Sequence, residues 1–95
     1  MTKTRALIMD SSDNCATAIE MIEEGVDIMI EDEIIKTLDL IPVGHKLALI
    51  KIQTGEKIIK YGQIIGIATK DIDKGGWIHT HNIKSYYLEG VVRND

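Results

Sequence analysis

The order of apolar and polar positions along the chain predicts a β-rich unit with one helix near its start. Residues 5–9, RALIM, read as a strand, and SSDN at 11–14 supplies side chains that favour turns and helix N-caps. Cys15, Ala18, Ile19 and Ile22 then recur at i, i+3, i+4 and i+7. Glu20, Glu23 and Glu24 take the other side and Gly25 stands where a C-cap is expected, so a short helix is predicted over 13–24. In VDIMIED the period drops to two: Val26, Ile28 and Ile30 share one face and Asp27, Met29 and Glu31 the other, as in a half-buried strand. Helix-period patterns do not return. Further strands are predicted over 33–37, 46–51, 57–60, 63–69, 77–80 and 86–92, broken by glycines at 44, 55, 62, 66, 75, 76 and 90, with Pro42 and Gly44 marking a loop.

Ile52-Gln-Thr-Gly55-Glu-Lys-Ile58 and Ile72-Asp-Lys-Gly75-Gly-Trp-Ile78 share one pattern: Ile, two residues, Gly, two residues, Ile. Each copy reads as a turn feeding a strand, with glycine at a positive φ. Two copies are too few for a solenoid and imply a small, pseudo-symmetric β fold. Continuing the alignment sets Ile59-Lys60-Tyr61 over His79-Thr80-His81, so large polar or titratable groups follow each turn.

Composition narrows the class. The 95 residues suit one domain spanning 1–95. Apolar residues make up 44% of them, yet no uncharged apolar run approaches the roughly 18 residues that cross a bilayer. Eleven Lys and Arg against 15 Asp and Glu give a net charge of −4, the wrong sign for a general phosphate-backbone binder, so neither nucleic acid nor membrane is an expected partner. The apolar stretch before Asp10 is too short for a secretory signal, and the single cysteine, Cys15, permits no intramolecular disulfide. A reducing, cytoplasmic setting is expected. Cys15 itself is read as a small buried filler rather than a nucleophile.

The candidate chemistry lies in GGWIHTHNI, residues 75–83, where His79 and His81 stand two apart and Asn82 follows. On a strand, residues i and i+2 project from one face about 6.5–7 Å apart, so two imidazoles can converge on a cation such as Zn, Fe, Mn or Ni while Thr80 points away. A catalytic site typically takes three protein ligands, so His45, a nearby Asp or Glu, or another polypeptide must contribute. The competing reading keeps both histidines on a solvated face or on buried carbonyls, with Asn82 capping a turn. Trp77 is read as core. His45 and Lys46 follow the Pro42–Gly44 loop. They are either a plain loop pair or binding groups, Lys46 then offering charge to a carboxylate substrate. The acidic residues at 20, 23, 24, 27 and 31–33 read as a solvated face without calcium-loop spacing. No phosphate-loop or dinucleotide fingerprint is present, and no Ser, His and Asp trio.

DNCATAIEMIEEG at 13–25 and the segment 41–83 together resemble the N-terminal module of the altronate and galactarate dehydratase family, which also includes sulfolactate sulfo-lyase. Gly44-His45-Lys46, Ile59-Lys60-Tyr61-Gly62 and His79-Thr80-His81-Asn82 are the most specific pieces. The resemblance implies a SAF domain of β-clip fold, mainly β with one short helix, similar to type III antifreeze protein. It implies a lyase that uses a divalent metal, Fe2+ foremost with Mn2+ an alternative, to remove water from a 2,3-dihydroxy carboxylate. Sulfite loss from sulfolactate is one alternative, and a non-catalytic module that holds a sugar acid or a partner protein is another. In that family the module accompanies a much longer catalytic region, so a separate large catalytic subunit is the expected partner, with no activity expected of the short chain alone. Self-association through an exposed apolar patch is a further expectation. On this resemblance His79 and His81 face the shared active site as metal ligands or as acid and base, and Asn82 orients one of them or binds a substrate hydroxyl. His45 and Lys46 follow as substrate-binding and catalytic groups. Lys60 and Tyr61 are expected to contact substrate carboxylate and hydroxyl, with a core role for Tyr61 as the alternative.

Overall fold

The computed structural model describes residues 4–85, and these form nine strands and no helix. In chain order they are β1 (Ala6–Leu7), β2 (Cys15–Ala18), β3 (Asp27–Ile30), β4 (Glu33–Lys36), β5 (Lys46–Ala48), β6 (Lys57–Lys60), β7 (Gln63–Ala68), β8 (Trp77–Ile78) and β9 (Ile83–Ser85). A four-stranded antiparallel sheet runs β1-β2-β5-β8, the β3–β4 hairpin stands alone, and β6-β7-β9 make a third sheet.

The four-stranded sheet is a wall between two cores. Because side chains alternate along a strand, Ala16, Ala18 and Leu47 point into one core with Ile22, Ile28, Ile30, Ile35 and Ile41. Cys15, Ala48 and Ile78 point into the other with Ile52, Ile58, Ala68 and Ile72. Each fully buried isoleucine contributes about 1.5–3 kcal/mol, an upper estimate because the unfolded chain already hides some apolar surface.

This wall explains why the predicted helix over 13–24 is absent. Residues 15–18 are apolar or small because a strand covered on both faces must be, and a run of that kind fits a helical stripe by coincidence. Ile19 breaks the stripe, standing 46% exposed. Gly25 is a turn residue with φ 77° rather than a helix cap. Strand β3 matches its expected alternation, with Ile28 and Ile30 buried and Asp27 and Met29 exposed. Strand β9 was not expected, and the predicted strand over 86–92 lies outside the described residues.

The internal repeat is larger than the motif suggests. Ile22 bridges Ile41 and Ile52 bridges Ile72, each pair antiparallel and buried. Each bridge clamps one hairpin, β3–β4 in the first half and β6–β7 in the second. Each isoleucine is followed three residues on by a glycine of positive φ: 25 and 44 in the first half, 55 and 75 in the second. Lys60-Tyr61 therefore corresponds to Ile30-Glu31, not to the histidine segment, and Glu31 and Tyr61 share positive φ values of 55° and 58°. Tyr61 and Gly62 form a two-residue hairpin turn with both central φ values positive, the signature of type I′. The Asp13 carboxylate holds that turn, accepting hydrogen bonds from the Tyr61 and Gly62 amides at 3.1 and 2.9 Å and from the Asp10 amide at 3.0 Å.

Candidate functional site

Strand β8 ends at Ile78, so His79 and His81 leave the sheet and sit on the turn that leads into β9. The Asn82 amide donates to the His79 carbonyl at 3.0 Å, which closes this turn. The expected strand spacing of the two imidazoles is therefore replaced by a turn, but the rings still gather, with Trp77 at the centre. His79 stacks on Trp77 with centroids 5.3 Å apart, His81 lies 4.8 Å from Trp77, and His45 lies 4.4 Å from His79 and 5.8 Å from Trp77. Cross-strand pairing of Leu47 with Trp77 brings the His45 loop to this place. Trp77, read from the sequence as core, is half-buried and organises three histidines. The W-x-H-x-H spacing was the available signal.

Asn82 is buried and committed to main chain. Its Oδ1 accepts from the His79 amide at 3.0 Å and its Nδ2 donates to the Trp77 carbonyl at 2.8 Å, so it sets the path of the turn that carries both rings. The Trp77 amide donates to Asp39 at 3.0 Å, fixing the other end.

His45 has a defined protonation state. Its Nδ1 accepts a hydrogen bond from the Trp77 indole N–H at 3.1 Å, so that nitrogen is bare and the proton of the neutral ring sits on Nε2. Loss of solvent, then the charges of His79 and Lys46, hold its pKa below the ordinary 6.5. At neutral pH His45 is an uncharged ring with an Nε2–H to donate.

Lys46 faces the other way. Alternation along β5 puts Leu47 in the first core and Lys46 with Ala48 on the second side, where Lys46 pairs across the sheet with Thr17 and Ile78. Burial, and then the charge of Lys60, depress its pKa. Lys60, half-buried at the end of β6, carries its Nζ 5.0 Å from the centre of the Tyr61 ring. Tyr61 is exposed at the hairpin tip, not core. The expected residues thus form two groups: His45, His79 and His81 around Trp77, and Lys46, Lys60 and Tyr61 across the sheet.

Cys15 is buried and its Sγ lies 3.4 Å from the Ile59 carbonyl. Desolvation pushes its thiol up to about 11, which suits a filler and not a nucleophile.

The described residues do not fit a metal ion by themselves. No three His, Cys, Asp or Glu side chains among them are grouped to hold one. The His45 Nδ1 lone pair is engaged by the indole, and His45 and His79 lie ring against ring. Three concavities are lined by 4–8 with 29–31, by Asn14 with 50–59, and by Asp13 with 30–35 and 49–50, and none is lined by a histidine.

The family profile described as the altronate/galactarate dehydratase SAF domain matches residues 4–86. The chain belongs to this family. Altronate dehydratase of Escherichia coli is 36% identical over 73 residues, covering 77% of this chain and 15% of that enzyme. The (2R)-sulfolactate sulfo-lyase subunit alpha of Paracoccus pantotrophus is 47% identical over 45 residues, covering 47% of this chain and 67% of the relative. Galactarate dehydratase (L-threo-forming) of Escherichia coli is 43% identical over 44 residues, or 46% of this chain and 8% of the enzyme. The SAF domain is thus shared among named lyases, and the chain spans only a small part of the dehydratases it matches. No helix among its described residues is long and apolar enough to cross a membrane.

Proposed function

We propose that this SAF domain is the small subunit of a cytoplasmic sugar-acid dehydratase of the altronate or galactarate type and completes an active site on a separate, larger catalytic chain. The observation that carries the reading is the cluster of His45, His79 and His81 around Trp77, ordered by Asn82 and with His81 exposed at its edge. An ordered imidazole cluster that does not assemble a metal-binding set from the described residues reads as half of a site. An apolar rim supports a covering partner: Val43, Leu40, Ile19 and Met21 are exposed on the segments joined by the Ile22–Ile41 bridge and by the Gly44 amide bonded to Ala18, beside His45.

The chemistry required is removal of the proton next to a carboxylate and departure of the neighbouring hydroxyl as water, leaving an enol that becomes a 2-keto-3-deoxy acid. In this reading His79 or His81 takes or returns a proton at an imidazole nitrogen, and the Nε2–H of His45 binds an oxygen of the substrate. The divalent metal expected of the enzyme belongs to the larger chain. A second reading, a subunit of a sulfolactate sulfo-lyase, is favoured by the 67% coverage of the Paracoccus subunit alpha.

Co-expression with the large catalytic chain tests both. A complex that dehydrates altronate or galactarate supports the first reading, and one that releases sulfite from sulfolactate supports the second. Replacing His79 and His81 together with Ala should lower kcat at least ~100-fold with the complex intact. Unchanged turnover in that variant removes the pair from catalysis, and normal kinetics with a weaker complex leaves the domain a purely structural role.

A further inference from the structure

The two hairpins of the repeat differ at their outer edges. In the second, the segment before β2 closes the edge of β6. The Asn14 side chain donates to the Lys57 carbonyl and accepts from the Ile59 amide, both at 2.8 Å, and the Asn14 amide donates to the Ile59 carbonyl at 3.3 Å. Asp13 takes the Tyr61 and Gly62 amides. In the first half the counterparts of Lys57, Ile59 and Tyr61 are Asp27, Met29 and Glu31, on the edge of β3. The Val26 carbonyl accepts from the Thr37 amide, so alternation also turns the main-chain groups of Ile28 and Ile30 toward β4 and leaves those of Asp27 and Met29 facing outward. Among the described residues nothing bonds them.

This edge borders a concavity of about 310 Å³ whose other wall is β1. The Arg5 carbonyl accepts from the Ile19 amide, so the Ala6 amide and carbonyl point away from β2. Two unpaired strand edges therefore flank one slot. Ala6 and Ile30 tie it to the first core, while Leu7 and Met29, which also line it, are exposed.

An open edge invites another strand, and the charges around this one say which kind. Two copies paired antiparallel about Met29 would set Asp27 of each against Glu31 of the other, a like-charge contact. Asp27 and Glu33 have cations in Lys36 and Lys74, but Glu31 and Asp32 at the hairpin tip are exposed and form no ion pair among the described residues. An occupant with a basic residue at that end answers them. The slot is also continuous with the apolar face beside the imidazoles: the Ile19 amide bonds Arg5, and Arg5 donates to the Met21 carbonyl at 2.9 Å, so the exposed Ile19 and Met21 lie along β1.

We propose that an extended segment of the large catalytic chain adds to the outer edge of β3 as a strand. About four or five residues span Asp27 to Glu31. Their apolar side chains alternate between Ala6 and Ile30 on one side and Leu7 and Met29 on the other, and a Lys or Arg sits beside Glu31 and Asp32. The inference rests on the proposed function for the identity of the partner, but not for the open edge.

Amide hydrogen exchange tests it in two stages. In the isolated 95-residue chain Met29 should exchange at least about tenfold faster than its counterpart Ile59, whose amide is bonded. In the complex with the co-expressed large chain, Met29 and Ala6 should slow at least about tenfold. Met29→Pro deletes the outward donor and spares the bonds to β4, so the isolated variant should keep a cooperative melt while the complex weakens about tenfold. Glu31→Lys combined with Asp32→Lys should weaken it several-fold at low salt, with the difference shrinking at high salt. Met29 protected in the isolated chain at every dilution means that the chain's own remaining residues fill the edge, and protection lost on dilution means that a second copy does. Either overturns the proposal. A complex that dehydrates altronate or galactarate while Met29 exchanges freely discards this docking alone. Protection of Met29 in a complex that dehydrates neither discards the dehydratase reading alone.

Discussion

In the first half of the repeat Gly44 turns the chain with nothing within 4 Å of where a side chain would begin, whereas its counterpart Gly75 has the carbonyl oxygen of Lys36 in that place. The two positions share a motif and a positive φ, 81° and 89°, and differ in what is packed on them. Gly75 lies where the two halves touch: its amide donates to Ala48 and its carbonyl accepts from Leu38. A repeated motif therefore fixes a turn, and only its surroundings decide how much the fold depends on it.

That contrast gives the largest expected effect. Gly75→Ala should destabilise the domain by roughly 4 kcal/mol or more, because strain at positive φ is joined by a backbone collision that no rotamer relieves. Gly44→Ala meets only the backbone strain and should cost about 1 kcal/mol. Denaturant melts of both variants check the comparison, and equal losses would mean that the junction yields easily.

The halves are also pinned by different chemistry. In the first, the buried Thr37 hydroxyl donates to the Glu23 carbonyl at 2.6 Å and accepts from the Val26 amide at 3.0 Å. In the second, the Asp13 carboxylate takes three amides. Asp13→Ala should cost roughly 3 kcal/mol and Thr37→Val roughly 2 kcal/mol, since hydrogen bonds to a charged acceptor are the stronger. Hydrogen exchange should locate the first loss at Tyr61 and Gly62 and the second at Val26; a reversed order of stability would show that burial outweighs charge here.

The smallest effect concerns the imidazole cluster. The folded state holds the His45 pKa below 6.5, so between the two values the unfolded chain binds more protons and stability rises with pH. The contribution is complete above pH about 6.5 and fades as pH falls through the folded-state value. Asp10, Glu23 and Asp71 are lowered from ordinary values of 3.8, 4.5 and 3.8, so they act in a more acidic window. Melting temperature should therefore drop between pH 7 and 5 more in the native chain than in His45→Gln. Parallel curves would exclude His45 as the cause.

Much of the β architecture could be read from periodicity and punctuation. Lys57–Lys60 was expected to the residue, and β3 showed its two-residue period because only one of its faces is buried. The segment 13–24 could not be read that way, because a strand lying between two cores has no polar face to reveal its period. The motif echo paired the wrong segments: local turns repeat in sequence, while the symmetry resides in the bridges Ile22–Ile41 and Ile52–Ile72, which are long-range contacts. At the site, His45, His79 and His81 were recognised by residue type. The indole that gathers them, and the sheet that divides His45 from its neighbour Lys46, follow only from three-dimensional packing.

Trp77 is the only indole in the chain and touches three imidazoles, one of them through a hydrogen bond. Protonated imidazole quenches indole fluorescence, so the emission of this one residue is a built-in optical gauge of charge on the cluster. Docking of a partner, arrival of an acid, or uptake of a proton can each be followed there without attaching a dye.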